Sequence, residues 1–211
     1  MNFPDTFSET TTPLPADQLG EAGAEAAQKL AGRGYEVHVG LTPEFADAIS
    51  AMALEPSIRE YCPKDCGQRF ADRASTESWL AKGRSMFLLL RREGDRLSLA
   101  GYGWVGAGSN PRVPGGETTF AIRIGETGQG QGLATPFAWL IVAGAAALYG
   151  AKKMWLETWA VNAGAVHVYH KIGFETVTEE PDQRFLPSGE KVADVRVYMS
   201  LPDSLLPPPI N

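Results

Sequence analysis

Gly128-Gln129-Gly130-Gln131-Gly132-Leu133-Ala134-Thr135 places three glycines at alternate positions between two runs of opposite character. Ahead of it, Thr118-Thr119-Phe120-Ala121-Ile122-Arg123-Ile124 is β-branched and aromatic, the composition of a strand. Behind it, residues 133–151 form a 19-residue run without a charge and rich in alanine, the composition of a buried helix. A glycine turn that opens a helix presents unpaired N–H groups at the positive end of the helix dipole. Such a turn suits an anion, a phosphate foremost. Glycines also gather in turns for steric reasons, and this stretch alone leaves both readings open. Its spacing is neither G-x-G-x-x-G nor G-x-x-x-x-G-K-[ST]. The first pattern does occur at Gly101-Tyr102-Gly103-Trp104-Val105-Gly106, but inside a strand-like run followed by a Gly/Pro loop, so it is read as a chance match.

With 211 residues and 44% hydrophobic content, the chain is long enough for one substantial core, and a single domain is expected. A net charge of -6 argues against a nucleic-acid binder that works by neutralising phosphates. Residues 1–14 hold neither a Lys or Arg nor an apolar core, so no secretory signal is read there and a cytoplasmic location is expected. The uncharged run approaches bilayer-spanning length, but Pro136, Gly144, Gly150 and seven alanines favour a core helix, and no membrane partner is expected. Cys62 and Cys66, with only three histidines elsewhere and no matching spacing, read as incidental thiols, and no metal is expected.

In order, residues 1–34 read as a flexible or helical arm, with helical composition over 16–31. Residues 35–41 alternate as a first strand, and Thr42 with Pro43 opens a helix whose apolar stripe is Phe45, Ala46, Ile49, Ala53 and Leu54. Residues 56–70 read as an irregular surface segment beside the substrate. Residues 71–83 resume helical character with Ser75 as N-cap, and residues 86–105 form a hairpin. The strand at 118–124, the glycine turn and the long helix follow. A strand over 153–161 then allows a parallel, right-handed βαβ unit. A short helix over 163–171, strands over 174–177 and 192–199, an acidic loop at 179–182 and a Pro-rich tail over 202–211 complete the chain.

The short helix carries a second spaced set, Asn162-x-x-Ala165-x-x-x-Tyr169-x-Lys171-x-Gly173-Phe174. Together the two sets resemble the GNAT superfamily of acyl-coenzyme A-dependent N-acyltransferases. The pyrophosphate motif [QR]-x-x-G-x-[GA] is matched by Gln129-Gly130-Gln131-Gly132-Leu133-Ala134. Gln129 stands where many members carry Arg, and Glu126 replaces a common Pro. The resemblance implies an α/β fold with a mixed, mostly antiparallel sheet whose central parallel pair splays at the cofactor site. It implies one domain over 35–201 and acetyl-coenzyme A as the acyl donor.

Within that resemblance, Gln129, Gly130, Gln131, Gly132, Leu133, Ala134 and Thr135 make the pyrophosphate cradle. Main-chain groups of Ile122 and Ile124, with Asn162, take the pantetheine arm. Asn162 also reads as a helix N-cap, and both roles are compatible. Tyr169 resembles the position that protonates the leaving thiolate, and a structural tyrosine is the alternative. Glu117 is the candidate general base, with Glu157 on the neighbouring strand as a second and a solvated strand-end carboxylate as the alternative for Glu117. Arg123 is unusual for such a strand; it reads as a contact for an anionic substrate group or as a partner for a nearby carboxylate. The expected enzyme acetylates a primary amine of a small molecule or peptide by direct attack, as a monomer or homodimer. A non-catalytic acyl-coenzyme A-binding module acting through a partner protein is the alternative, and a nucleotide-binding regulator of another fold the third reading.

Overall fold

A computed structural model describes Phe3 and residues 7–209. The parts of the expected arm at 1, 2 and 4–6, and of the Pro-rich tail at 210–211, lie outside the described residues. A two-residue edge strand, β1 (Thr12–Pro13), pairs antiparallel with β2 (Tyr35–Val39). Between them a 3-10 turn leads into α1 (Gly20–Ala31), which buries Gly23, Ala26 and Leu30. α2 (Pro43–Met52) starts as its sequence requires, with Pro43 in the first turn and Thr42 Oγ1 accepting from the Phe45 N–H at 3.3 Å. Of the stripe read for it, Leu54 is 60% exposed, because the helix has already ended at Met52.

The segment read as irregular is helical in two pieces. α3 (Pro56–Tyr61) again has proline in its first turn, and a π-helical turn spans Asp65–Arg69. α4 (Arg73–Leu80) is capped by Asp72, whose Oδ1 accepts from the Ser75 N–H at 2.7 Å; Ser75 is therefore the recipient of the cap, not the cap itself. β3 (Arg84–Glu93) and β4 (Arg96–Ala107) form a longer hairpin than expected, closed by Gly94-Asp95 with Gly94 at φ +63°.

β5 (Thr118–Ile124), α5 (Ala134–Tyr149), β6 (Met154–Trp159) and α6 (Ala163–Lys171) follow in the expected order. β7 (Glu175–Phe185) and β8 (Lys191–Ser200) close the chain as a hairpin. Residues 179–182, read as an acidic loop, are in β7, paired with residues 194–197 of β8; Pro181 is tolerated because β7 is an edge strand.

Among the described residues, eight strands form one mixed sheet in the order β1-β2-β3-β4-β5-β6-β8-β7, in which only β5 and β6 are parallel. α5 is the crossover between them and, with α1 and α6, covers one face, packing Phe137, Leu140 and Ile141 against Phe87, Val105 and Phe120. The segments over 43–80 cover the other face, around Tyr102, Trp104 and Ala121. Gly103 marks where β4 is squeezed, since a Cβ there would lie 2.7 Å from the Ala121 carbonyl and against Ile141. The G-x-G-x-x-G match thus lies inside a strand, where close packing accounts for Gly103. No helix among the described residues is long and apolar enough to cross a membrane.

Candidate active site

The parallel pair is short. Thr118 pairs with Met154 and Thr119 with Trp155, and there the pairing stops. Beyond that point β5 stays bound to β4 as far as Ile124 and Gly101, while β6 stays bound to β8 as far as Trp159 and Arg196. The two strands therefore separate and leave a gap in the sheet.

Two hydrogen bonds fix which backbone groups line it. Thr118 N–H donates toward β6, to the Lys153 carbonyl, and Gly125 N–H donates toward β4, to the Ala100 carbonyl. By alternation, the even-numbered residues of β5 point their N–H and C=O groups toward β6, so those of Ile122 and Ile124 face the gap. Their carbonyls are already engaged, Ile122 by Arg123 Nη1 at 2.7 Å and Ile124 by Gln129 Nε2 at 3.0 Å. What this edge offers to a ligand is its N–H groups.

At the end of β5 the chain makes a 3-10 turn (Glu126–Gly128) and then the glycine loop. Gly130 at φ +72° and Gly132 at φ +71° occupy left-handed backbone, which explains their identity. The first bond of α5 is donated by the Phe137 N–H to the Leu133 carbonyl, and Leu133 supplies no side-chain cap. Among the described residues, no N–H from Gly130 to Thr135 donates to a protein acceptor, and Pro136 has none. Gln131, Leu133, Ala134 and Thr135 thus join the two glycines in a run of free donors at a helix N-terminus. Such a set fits a phosphate.

The loop is tied down on both sides. Glu126 accepts from the Ser57 N–H at 3.0 Å and donates its own N–H to Glu55 Oε2 at 2.7 Å, while Gln129 Nε2 reaches Ser57 Oγ at 2.9 Å. Glu126 in place of proline thus anchors the loop to the start of α3. From the other side, Arg33 Nη1 donates to the Gln131 carbonyl and Tyr35 Oη to Gln131 Oε1 at 3.4 Å. Arg33 lies 98 residues away in sequence, and no spacing pattern signals it.

Tyr169, on the inner face of α6, is 5% exposed and packs against Phe120 and Phe174. Burial pushes its phenol up to about 12, against the opposing pull of Arg123. Among the described residues its hydroxyl has no hydrogen-bond partner. Asn162 caps α6, its Oδ1 accepting from the Ala165 N–H at 3.3 Å, and its amide nitrogen is left over.

Glu117 stands at the opposite end of β5 from the glycine loop, in an ion pair with Lys153 that holds its carboxyl below the usual range. Glu157 lies on β6 beyond the last residue paired with β5, 3.6 Å from Arg196. Alternation from Leu156, which faces α5, puts Glu157 on the opposite face, the one that carries Arg123. Under that face lies a buried charged cluster. Asp65 accepts from Arg123 Nε at 2.8 Å, from Arg69 at 2.8 Å and from the Tyr102 hydroxyl at 2.9 Å. Arg123 is thus the partner of a carboxylate. Two acidic residues of β7 are also matched, Glu180 by Arg112 and Asp182 by Arg196.

A model of the acetyltransferase (GNAT) domain matches residues 39–175. Among solved structures, spermidine N-acetyltransferase from Vibrio cholerae, in complex with CoA and spermine, aligns with a TM-score of 0.64 at 17% identity, over 82% of this chain and 99% of that one. A phosphinothricin acetyltransferase from Sinorhizobium meliloti, in complex with AcCoA, aligns at 0.60 and 13%, over 80% and 89%. Ribosomal-protein-S5-alanine acetyltransferase from Vibrio fischeri aligns at 0.60 and 12%, over 81% and 94%. At these identities the likeness is one of fold. No curated protein matches the chain.

Proposed function

We propose a function for this chain, which belongs to the GNAT acetyltransferase family: it transfers the acetyl group of acetyl-coenzyme A to a primary amine of a small molecule or a peptide by direct attack. The observation that carries the proposal is the gap opening after Thr119 and Trp155 together with the free donors of residues 130–135 that follow β5 at its open end. A flexible thiol arm and a pyrophosphate need those two features side by side. The complexes with CoA and AcCoA among the structural neighbours support the choice of donor, and the spermine in one of them supports an amine acceptor. Residues 35–201 are taken as the catalytic domain, with β1 and α1 of the segment ahead joined to its sheet and core.

Bound acetyl-coenzyme A would supply an activated thioester. In this proposal the N–H groups of residues 130–135 hold the pyrophosphate, and Gln129 fixes the loop. Those of Ile122 and Ile124, with the spare amide of Asn162, hold the pantetheine arm and polarise the thioester carbonyl. Tyr169, neutral through the physiological range, keeps a proton for the departing sulfur. Of the two carboxylates considered as base, Glu117 is tied to Lys153, whereas Glu157 lies past the point where the strands part. The assignment therefore favours Glu157.

The test is calorimetric titration with acetyl-coenzyme A, followed by thiol release with a panel of polyamines, amino acids and peptides. Saturable binding with amine-dependent thiol release is expected. Binding without release from any amine would leave an acyl-coenzyme A-binding module, and no binding would overturn the proposal.

A further inference from the structure

The phosphates of a coenzyme A molecule are strongly anionic, and this chain has a net charge of -6. Backbone dipoles alone would have to offset that repulsion, unless a cation stands at the cradle. The position where many relatives carry Arg is Gln129, and its amide is turned away, donating to Ser57 and Ile124. Another part of the chain brings a cation to the loop. The Arg33 guanidinium lies against the loop, donating to the Gln131 carbonyl and standing 3.3 Å from where a Cβ on Gly132 would be.

Three observations set Arg33 apart from an ordinary surface arginine. Its backbone is fixed: Arg33 N–H donates to the Leu30 carbonyl, Gly34 N–H donates to that of Ala31, and Leu30 is buried against the core beneath α5. Among the described residues, no carboxylate pairs with it, a state it shares with Arg59, Arg84 and Arg96, whereas ion pairs engage the other eight arginines. Its one hydrogen bond to protein leaves further guanidinium N–H groups unused.

We infer that Arg33 is a pyrophosphate-binding residue of the coenzyme A site, contributed by the segment ahead of the family-matched residues 39–175. This rests on the function proposed above. It gives the N-terminal arm a role: α1 carries a cation to the loop, and Tyr35, at the start of β2, steadies the Gln131 side chain. The contact is a charge-assisted hydrogen bond from a guanidinium to a phosphate oxygen, of the kind that arginine forms best.

The experiment compares the full chain with Arg33→Gln and Arg33→Lys in calorimetric titrations with coenzyme A, 3′-dephospho-coenzyme A and pantetheine. Arg33→Gln keeps a donor for the Gln131 carbonyl but removes the charge. It is expected to weaken both phosphate-bearing ligands by about tenfold, to reduce the salt dependence of their binding, and to leave pantetheine unaffected. Arg33→Lys should recover most of the loss. Wild-type affinity for coenzyme A in Arg33→Gln would make the residue a loop support only and overturn the inference. A loss confined to coenzyme A, absent with the 3′-dephospho form, would overturn the assignment to the pyrophosphate. If the wild-type chain bound no coenzyme A at all, the functional proposal itself would fail, and this inference with it.

Discussion

Asp65 and Arg123 meet at 2.8 Å, Oδ2 to Nε, across 58 residues of sequence, with the Asp65 carboxylate fully buried. Burial alone would raise that carboxyl. Arg123 and Arg69, with the donated Tyr102 hydroxyl, outweigh burial and hold it below the ordinary value. Because the folded value is depressed, the stability it contributes is present above the unfolded carboxyl value and is lost as pH falls through the folded one. Asp65→Asn leaves Arg123 buried without its counter-charge, and a loss of about 3–5 kcal/mol is expected in urea unfolding at neutral pH. The variant should also show a shallower fall in melting temperature on acidification. Wild-type stability in Asp65→Asn would mean that Arg123 is compensated elsewhere.

Tyr169 has the opposite sign. Its phenol is pushed up to about 12 by burial, so it stays protonated where a free tyrosine would ionise. The stability linked to it is complete below the unfolded phenol value, near 10, and is lost as pH rises from there toward 12. For catalysis, the proton donor remains loaded across the working range. Tyr169→Phe should lower kcat by about 10²- to 10⁴-fold with little change in KM for acetyl-coenzyme A. The wild-type kcat profile should show no alkaline decline from this group below about pH 10. Unchanged turnover in Tyr169→Phe, with chemistry limiting, would remove the general-acid role.

The carboxylates at 117 and 157 can be told apart by substitution. Glu117 is held in an exposed ion pair with Lys153 at one end of β5, whereas Glu157 belongs to the face that carries Arg123. Glu157→Gln is expected to lower kcat by about 10²-fold or more. Glu117→Gln should change kcat by less than about threefold, as expected of a surface pair. The reverse ranking would return the base to Glu117.

What the sequence disclosed and what it concealed follow from distance along the chain. The glycine loop, the strand ahead of it, the helix behind it and Asn162 at the start of α6 are all written in residues a few positions apart, where turn chemistry, capping and apolar pattern act directly. Element order then fixed the parallel pair. The helical pieces over 56–69 are not legible in the sequence because proline, cysteines and mixed charge mask a pattern only six and five residues long. The Asp72 cap was missed because Ser75, three residues on, is equally suited by type. Arg33 at the loop and Asp65 beneath Arg123 were beyond reach, since each partnership joins segments that meet only through the sheet. Even the acidic run at 179–182 looked like a loop, because half of what makes it a strand is β8.

The cradle yields the sharpest contrast between two neighbouring glycines. Gly130 and Gly132 share left-handed backbone, but a Cβ at Gly130 meets open space, while one at Gly132 points at the Arg33 guanidinium. Gly130→Ala should cost about 1–2 kcal/mol of loop strain and only a modest part of the affinity for coenzyme A. Gly132→Glu carries the same backbone strain, but adds a carboxylate among the donors that a phosphate would use and beside the cation that would hold it. Affinity for coenzyme A should fall by about a hundredfold or more, while urea unfolding separates the two variants by less than about 1 kcal/mol. The comparison cancels the backbone strain and leaves the added carboxylate side chain at position 132 as the difference. Equal affinities in the two variants would show that the phosphates bind away from this loop, and the gap between β5 and β6 would need another occupant.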